Sequence, residues 1–360
     1  MKNIEIVATS NNVQKILPFD KKYVFPQKID KTIEIVIVPK LDDIALSQKN
    51  VAIKLDENLI LEILSRHYRN VSITTINTKN DLKKLALRKP DLVFSGVKYF
   101  YFDDGIIWLN DYLESYDISY IASNREALHN EHDKSIAKKI MQKANIKTAD
   151  FFTTEHNEYL TEMSIPIAFP LFIKPLTGGD SRGVDKESIV YDFLSFQKKI
   201  LDIKHNQNSC SMVETYLPGK EYTVSILQDN SNGNLRAMPI EIIVDKNING
   251  HYILDYDIKK NDQESVIPIT DRKIYNQLSD FAKDAFKALN GKSLGRIDIK
   301  MNHNDVPHFI EANLMPGLRK GYFYRSCLLN LGMSYEQMIL TITNNGLGLC
   351  TQVNRQVLSF

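Results

Sequence analysis

Apolar positions in the first third of the chain switch between two periods. Short β-rich runs at Ile33–Val38, Val71–Ile76, Leu92–Phe94 and Ile118–Ile121 predict strands, and Glu57–Tyr68 and Ile107–Glu114 predict helices. The opening MKNIEIVATSNN reads as a further strand. Such alternation implies a mostly parallel α/β sheet. The polar stretch Ser123–Asn130 marks a boundary, and a helix is expected over Lys134–Ala144. Beyond it the pattern changes. Leu171–Lys174, Ser211–Tyr216, Tyr222–Leu227, Arg236–Val244, Gly295–Lys300 and His308–Asn313 predict strands. Helices are expected at Phe193–Ile203, Arg272–Leu289 and Tyr335–Thr343. The whole is an α/β N-terminal domain followed by an α+β body.

At 360 residues the chain suits two or three packed units. Lys+Arg at 45 against Asp+Glu at 44 leaves a net charge of +1, which removes any bulk electrostatic case for nucleic acid or an anionic membrane. The three cysteines, Cys210, Cys327 and Cys350, form no CxxC pair and point to a reducing compartment. The first apolar run is too short for a signal peptide, and Ile165–Ile173, broken by Pro166 and Pro170, is too short to span a membrane. The cytoplasm is the expected location.

The richest chemistry lies in Gly295-Arg296-Ile297-Asp298-Ile299-Lys300, a polar turn, and His308-Phe309-Ile310-Glu311-Ala312-Asn313. Side chains alternate faces along a strand. As a hairpin, this places Arg296, Asp298, Glu311 and Asn313 on a polar face, and Ile297, Ile299, Ile310 and Ala312 on an apolar one. Asp, Glu and Asn are hard oxygen donors suited to Mg²⁺, and Arg296 beside them suits a phosphoryl group or an oxyanion. By itself such a face is as readily a solvated surface. Met315-Pro316-Gly317 follows as a turn able to offer backbone N–H groups to an anion.

Pro170–Pro175 is a short strand with Lys174 near its end, running into Leu176-Thr177-Gly178-Gly179-Asp180-Ser181-Arg182-Gly183. A Gly-rich loop can fold over phosphates, although this one lacks the GK[ST] of a Walker A loop. Met212–Val224 makes a second unit in which Glu214 and Glu221 flank a turn. Singly, the loop reads as a turn and the glutamates as surface residues.

Taken in order, these elements resemble the ATP-grasp ligases, and within them the D-alanine–D-alanine ligases. The resemblance runs from about His132 to about Thr343 and is most specific at Val213–Thr223, Gly295–Asp298 and Glu311–Gly317, with Leu331–Ser334 also similar. It implies an α/β pre-ATP-grasp domain at 1–128, then two ATP-grasp subdomains at 129–212 and 213–360 that clamp ATP. Lys134, Lys174, Ser181, Glu214, Tyr216, Leu217, Glu221 and Lys259 would bind ATP. Asp298, Glu311 and Asn313 would ligate two Mg²⁺ ions, or Mn²⁺, with Glu311 bridging. Arg296, the N–H of Gly317 and Ser181 would serve catalysis through an acyl phosphate. A homodimer through the N-terminal domain is implied as well.

The amino-acid side departs from that family. Val7–Asn12 lacks its N-terminal Gly-rich segment with Ser and a catalytic Glu, and Val97–Gly105 keeps only the acidic end of its His-Gly…Asp-Gly motif. Asp180 replaces a loop serine, Lys260 a loop tyrosine, and Tyr322-Phe323 the Ser-Leu pair that holds the second D-alanine. Lys98, Asp180, Arg319, Lys320 and Tyr322 are therefore candidates for meeting a different substrate. Three readings stay open: a carboxylate–amine ligase on other amino-acid-like substrates, which is favoured; a true D-alanine–D-alanine ligase; and a nucleotide-binding protein without turnover.

Overall fold

The computed structural model describes residues 27–39, 52–179, 181–229, 232–246, 250–261 and 263–349. The expected opening strand, the segment Val7–Asn12, Asp180 and Cys350 lie outside the described residues.

Strands β1 (Ile29–Ile37), β2 (Tyr68–Thr75) and β3 (Leu92–Ser95) lie parallel. A small hairpin of β4 (Tyr99–Phe102) and β5 (Gly105–Trp108) follows, and β6 (Ser119–Tyr120) then joins the first sheet, giving the order β2-β1-β3-β6. Helices α1 (Glu57–His67), α2 (Lys79–Arg88) and α3 (Leu109–Glu114) connect these strands. The parallel sheet is the one expected from the alternation. The helix expected over Ile107–Glu114 begins only at Leu109, because Ile107 and Trp108 pair with Phe100 and Tyr99. Helix α2 was not among the expected elements, although its buried Leu82, Leu85 and Ala86 stand at helical i, i+3, i+4 spacing and a Thr78–Asp81 capping box starts it. The polar stretch Ser123–Asn130 is the start of helix α4 (Arg125–His132), capped by Asn124, and α5 (Lys134–Lys143) follows at once.

An antiparallel sheet comes next, from β7 (Phe151–Thr154), β8 (Leu171–Pro175), β9 (Ile189–Val190) and β10 (Ser211–Thr215) in the order β7-β10-β8-β9. Phe196, Ile200 and Ile203 of α6 (Phe193–Gln207) bury against it. Strand β10 crosses the 212/213 division, so this sheet reaches at least Thr215.

The last sheet is antiparallel in the order β13-β12-β11-β14-β15. Its strands are β11 (Glu221–Gln228), β12 (Leu235–Ile243), β13 (Ser265–Pro268), β14 (Leu294–Met301) and β15 (Pro307–Asn313). The short α7 (Tyr256–Lys260) precedes β13, and α8 (Arg272–Ala288) buries Leu278, Ala282, Ala285 and Phe286 beneath the sheet. Helices α9 (Tyr322–Leu331) and α10 (Tyr335–Gly346) close the chain. Helix α10 returns to the first sheet, where a Cβ on Gly346 would lie 2.8 Å from Leu92. One apolar cluster therefore joins Ile33, Leu92 and Phe94 to Phe286, Phe309 and Ile339.

Gly295 lets β14 press on Phe286, since a Cβ there would stand 2.7 Å from the ring. Gly295→Ala is expected to lower the unfolding free energy by about 1–3 kcal/mol through overpacking. Urea unfolding tests this, and an unchanged midpoint contradicts it.

Candidate active site

Lys134 and Lys138 stand one turn apart on α5, so they share a face. Asp133 starts that helix by accepting from the N–H groups of Ser135 (2.8 Å) and Ile136 (3.3 Å). Across the β8–β10 ladder Met212 faces Lys174 and Glu214 faces Phe172, which makes Lys174 and Glu214 diagonal neighbours on one side of the sheet. The buried Glu214 carboxylate consequently sits between two buried ammonium groups. Lys174 Nζ lies 2.9 Å from it, and Lys138 contacts its other oxygen. Burial pushes the Glu214 carboxyl up, but Lys138 and Lys174 outweigh burial and hold it at about 2. Burial brings Lys134 down to about 8, against the opposing pull of Glu311. Its ammonium donates to the carbonyls of Gly178 (2.8 Å) and Pro175 (3.3 Å), beneath the Gly-rich loop.

That loop is held at both ends. Gly183 turns at φ +71° where a Cβ would meet the Pro175 ring at 2.6 Å, so glycine is required there. The Ser181 hydroxyl donates to the Leu254 carbonyl at 3.0 Å, and the Tyr256 N–H donates to the Val184 carbonyl at 3.2 Å. The loop thus latches onto the segment that leads to Lys259.

The hairpin forms as the alternation requires. Arg296 faces Asn313 and Asp298 faces Glu311, while on β11 Ser225, Thr223 and Glu221 face Arg296, Asp298 and Lys300. Arg296 grips Asp298 with two bonds of 3.0 Å, Thr223 donates to the same carboxylate at 2.5 Å, and Lys300 reaches Glu221 at 2.9 Å. Burial opposes the ionisation of Asp298, but Arg296 overcomes it and keeps its carboxyl below the usual range. One expectation fails. Ile299 pairs with Phe309, so Ile310 is an extra residue in β15, and it lines the cleft instead of the apolar face.

These elements surround a cleft of about 900 Å³ counted to its open mouth. Lys134, Lys174, Ser181, Glu214, Tyr216, Leu217, Glu221 and Lys259 all line it, as do Asp298 and Glu311. Among the described residues no three His, Cys, Asp or Glu side chains group as a metal site; Asp298, Glu311 and Asn313 offer two carboxylates and an amide on one face of the hairpin. Asn313 Oδ1 is buried without a hydrogen-bond partner. An unpartnered amide oxygen beside two carboxylates fits a hard cation such as Mg²⁺.

Among the described residues, Arg296, Asn313 and the other expected ones lie outside the cleft lining. Gly317 packs on Lys54, Arg319 Nε donates to the Leu55 carbonyl at 3.0 Å, and the exposed Lys320 lies over Tyr335. Lys98 is buried and paired with Glu131 at 2.7 Å. Tyr322 lies against Arg296 and donates to Glu264 at 2.8 Å. Lys138, Lys300 and Glu131 were not anticipated. Helical spacing from Lys134 and strand spacing from Asp298 point to the first two, and no sequence signal points to Glu131.

The model of the D-ala D-ala ligase C-terminus matches residues 139–344, more than half of the chain. The chain belongs to the D-alanine–D-alanine ligase family. It is an ATP-grasp carboxylate–amine ligase. This ligase is 28% identical to the D-alanine–D-alanine ligase of Ruthia magnifica over 67% of its length and 78% of the relative's. With D-alanine–D-alanine ligase A of Bacillus cereus it shares 27% over 84% of its length and 95% of the relative's. Its fold matches the Bacillus anthracis D-alanine–D-alanine ligase with a TM-score of 0.64 at 22% identity, over 88% of this chain and 97% of that one. The Enterococcus faecalis VanG D-Ala:D-Ser ligase matches with 0.63 at 18%, over 88% and 100%. No described helix is long and apolar enough to cross a membrane.

Glu214 is shared by two ammonium groups, so removing one lysine leaves it paired with the other. Lys138→Met is therefore expected to cost roughly 1–3 kcal/mol of stability at neutral pH, the loss of a hydrogen bond to a charged group. The Glu214 carboxyl falls from 4.5 to about 2 on folding, so its contribution is complete above pH 4.5 and lost as pH falls towards 2. In Lys138→Met that loss should move to higher pH. Acid unfolding followed by circular dichroism tests this, and superimposable curves for the two proteins contradict it.

Proposed function

We propose that this ligase joins a substrate carboxylate to an amine with ATP and Mg²⁺, on amino-acid-like substrates other than two D-alanines. The reading is carried by the facing pairs Arg296–Asn313 and Asp298–Glu311 beside the lysine-lined cleft. It is supported by a structural neighbour, a Bacillus anthracis D-alanine–D-alanine ligase complexed with ATP, similar with a TM-score of 0.63 at 24% identity.

Lys134, Lys174 and Lys259 take the ATP phosphates, and the loop around Ser181 closes over them. The backbone of Tyr216 and Leu217 meets the adenine edge, and Glu221 the ribose. A carboxylate has about four acceptor positions, so Glu214 keeps room for the adenine amino group beside its two lysines. Asp298, Glu311 and Asn313 would hold the Mg²⁺ ions, two by resemblance, or Mn²⁺. A metal bound there would neutralise charge on the phosphoryl oxygens.

A carboxylate oxygen of the acid attacks the γ-phosphorus, the bond to ADP breaks, and an acyl phosphate forms. The amine nitrogen then attacks the acyl carbon, phosphate departs, and the nitrogen loses a proton as the amide forms. Arg296 and the Gly317 N–H offset charge on the reacting oxygens. Positioning and electrostatics do most of the work in such transfers.

The substrate departure rests on Lys98 and Tyr322. Both stand where the resemblance has substrate-binding residues, and both are engaged, Lys98 with Glu131 and Tyr322 with Glu264. The names of the relatives favour a second reading, a true D-alanine–D-alanine ligase. Phosphate release over a panel of acids and amines separates them. Release with another pair only is expected, release with D-alanine alone supports the second reading, and nucleotide binding without turnover overturns ligase activity. Glu311→Gln should lower turnover by about 100-fold or more, the loss of roughly 3 kcal/mol of metal-assisted stabilisation, with an unchanged melting temperature. Near-normal turnover contradicts the metal-site assignment.

A further inference from the structure

Glu131 lies in the last turn of helix α4 with its side chain buried, yet it lines no part of the cleft. One of its oxygens accepts from Lys98 at 2.7 Å, and the other accepts from the backbone N–H of Leu314. The Lys98 and Glu131 side chains are 10% and 4% exposed, so neither charge can be met by bulk water. Leu314 follows directly on Asn313 and is itself fully buried. Asn313 Oδ1 has no hydrogen-bond partner, so no contact of that oxygen fixes where it points. Its aim depends on the backbone at 313–314, and Glu131 holds that backbone. The same turn is pinned again by Leu318 N–H to the Lys54 carbonyl at 3.0 Å and by Arg319 Nε to the Leu55 carbonyl at 3.0 Å.

We propose that Glu131 is a positioning residue for the metal site: paired with Lys98, it anchors the Leu314 N–H and thereby aims Asn313. This rests on the metal-dependent reading of the hairpin. Without Glu131 the buried Leu314 N–H has no acceptor, which costs about 1–3 kcal/mol unless the turn moves to find another. Moving the turn moves Asn313. The ion pair keeps the carboxylate in place and answers the burial of both charges, which singly would be strongly unfavourable.

Two double variants of the full chain isolate the contact. Glu131→Gln with Lys98→Met removes the charges and keeps an acceptor for Leu314, whereas Glu131→Ala with Lys98→Met removes the acceptor as well. Mn²⁺ binding in the presence of ADP is read by electron paramagnetic resonance, and ADP binding without Mn²⁺ by calorimetry. The alanine double should bind Mn²⁺ roughly tenfold or more weakly than the glutamine double, the usual effect of losing a group that orients a ligand. Metal-free ADP affinity should be the same in both. Equal Mn²⁺ affinities overturn the proposal. So does a parallel loss of metal-free ADP affinity, which marks a structural role only. A wild-type chain that binds ADP but no Mn²⁺ overturns the metal reading itself. Hydrogen exchange of the wild-type Leu314 amide needs no substitution: slow exchange is expected, and exchange as fast as an exposed amide overturns the anchor.

Discussion

Burying an ion costs several kcal/mol unless an opposite charge or a set of hydrogen bonds meets it, and the cleft of this ligase and the turn behind it are organised around that demand. Glu214 is met by Lys138 and Lys174, Asp298 by Arg296 and Thr223, and Glu131 by Lys98 and the Leu314 N–H. Each group ties together segments far apart in sequence: α5 with β8 and β10, β11 with β14, and the region before β4 with α4 and the turn after β15. Charge compensation therefore doubles as a set of tethers on the residues that line the site. Lys134 is the exception that suits a ligand. Burial weakens its hold on a proton, only carbonyl oxygens receive its ammonium, and an arriving phosphate would supply the missing countercharge.

The second organising element is the two-residue period of β-strands. On β11, β14 and β15 it separates a polar face, with Thr223, Asp298 and Glu311 in one row, from Val224, Ile297 and Ile299, which join the apolar cluster with Phe286. Gly295 admits the Phe286 ring one residue before Arg296, so core packing and the aim of the reactive face are adjacent features of one strand. The extra residue at Ile310 breaks the alternation and brings an apolar side chain into the cleft beside Glu311.

Local rules made much of this legible in the sequence. The register of Arg296, Asp298, Glu311 and Asn313 follows from alternation about a recognisable turn, and the α/β-to-α+β change follows from the switch of apolar periods. The resemblance carried by about His132–Thr343 coincides with the family match at 139–344. Where the outcome depends on a distant partner, the sequence was opaque. Lys98 read as a free cation for substrate, but Glu131, 33 residues away, takes its charge. Tyr322 read as a pocket wall, but Glu264 and Arg296 engage it. Helix α2 was not among the expected elements, yet Leu82, Leu85 and Ala86 at helical spacing after the Thr78–Asp81 capping box made it legible.

Geometry at the β14–β15 hairpin is the claim on which the chemistry stands. A crystal structure of the wild-type chain with ADP and Mg²⁺ measures it directly. The account predicts the diphosphate under the Gly-rich loop and a Mg²⁺ ion about 2.0–2.1 Å from oxygens of Glu311 and Asn313. Nucleotide bound elsewhere, or a metal ion that touches neither side chain, would contradict it.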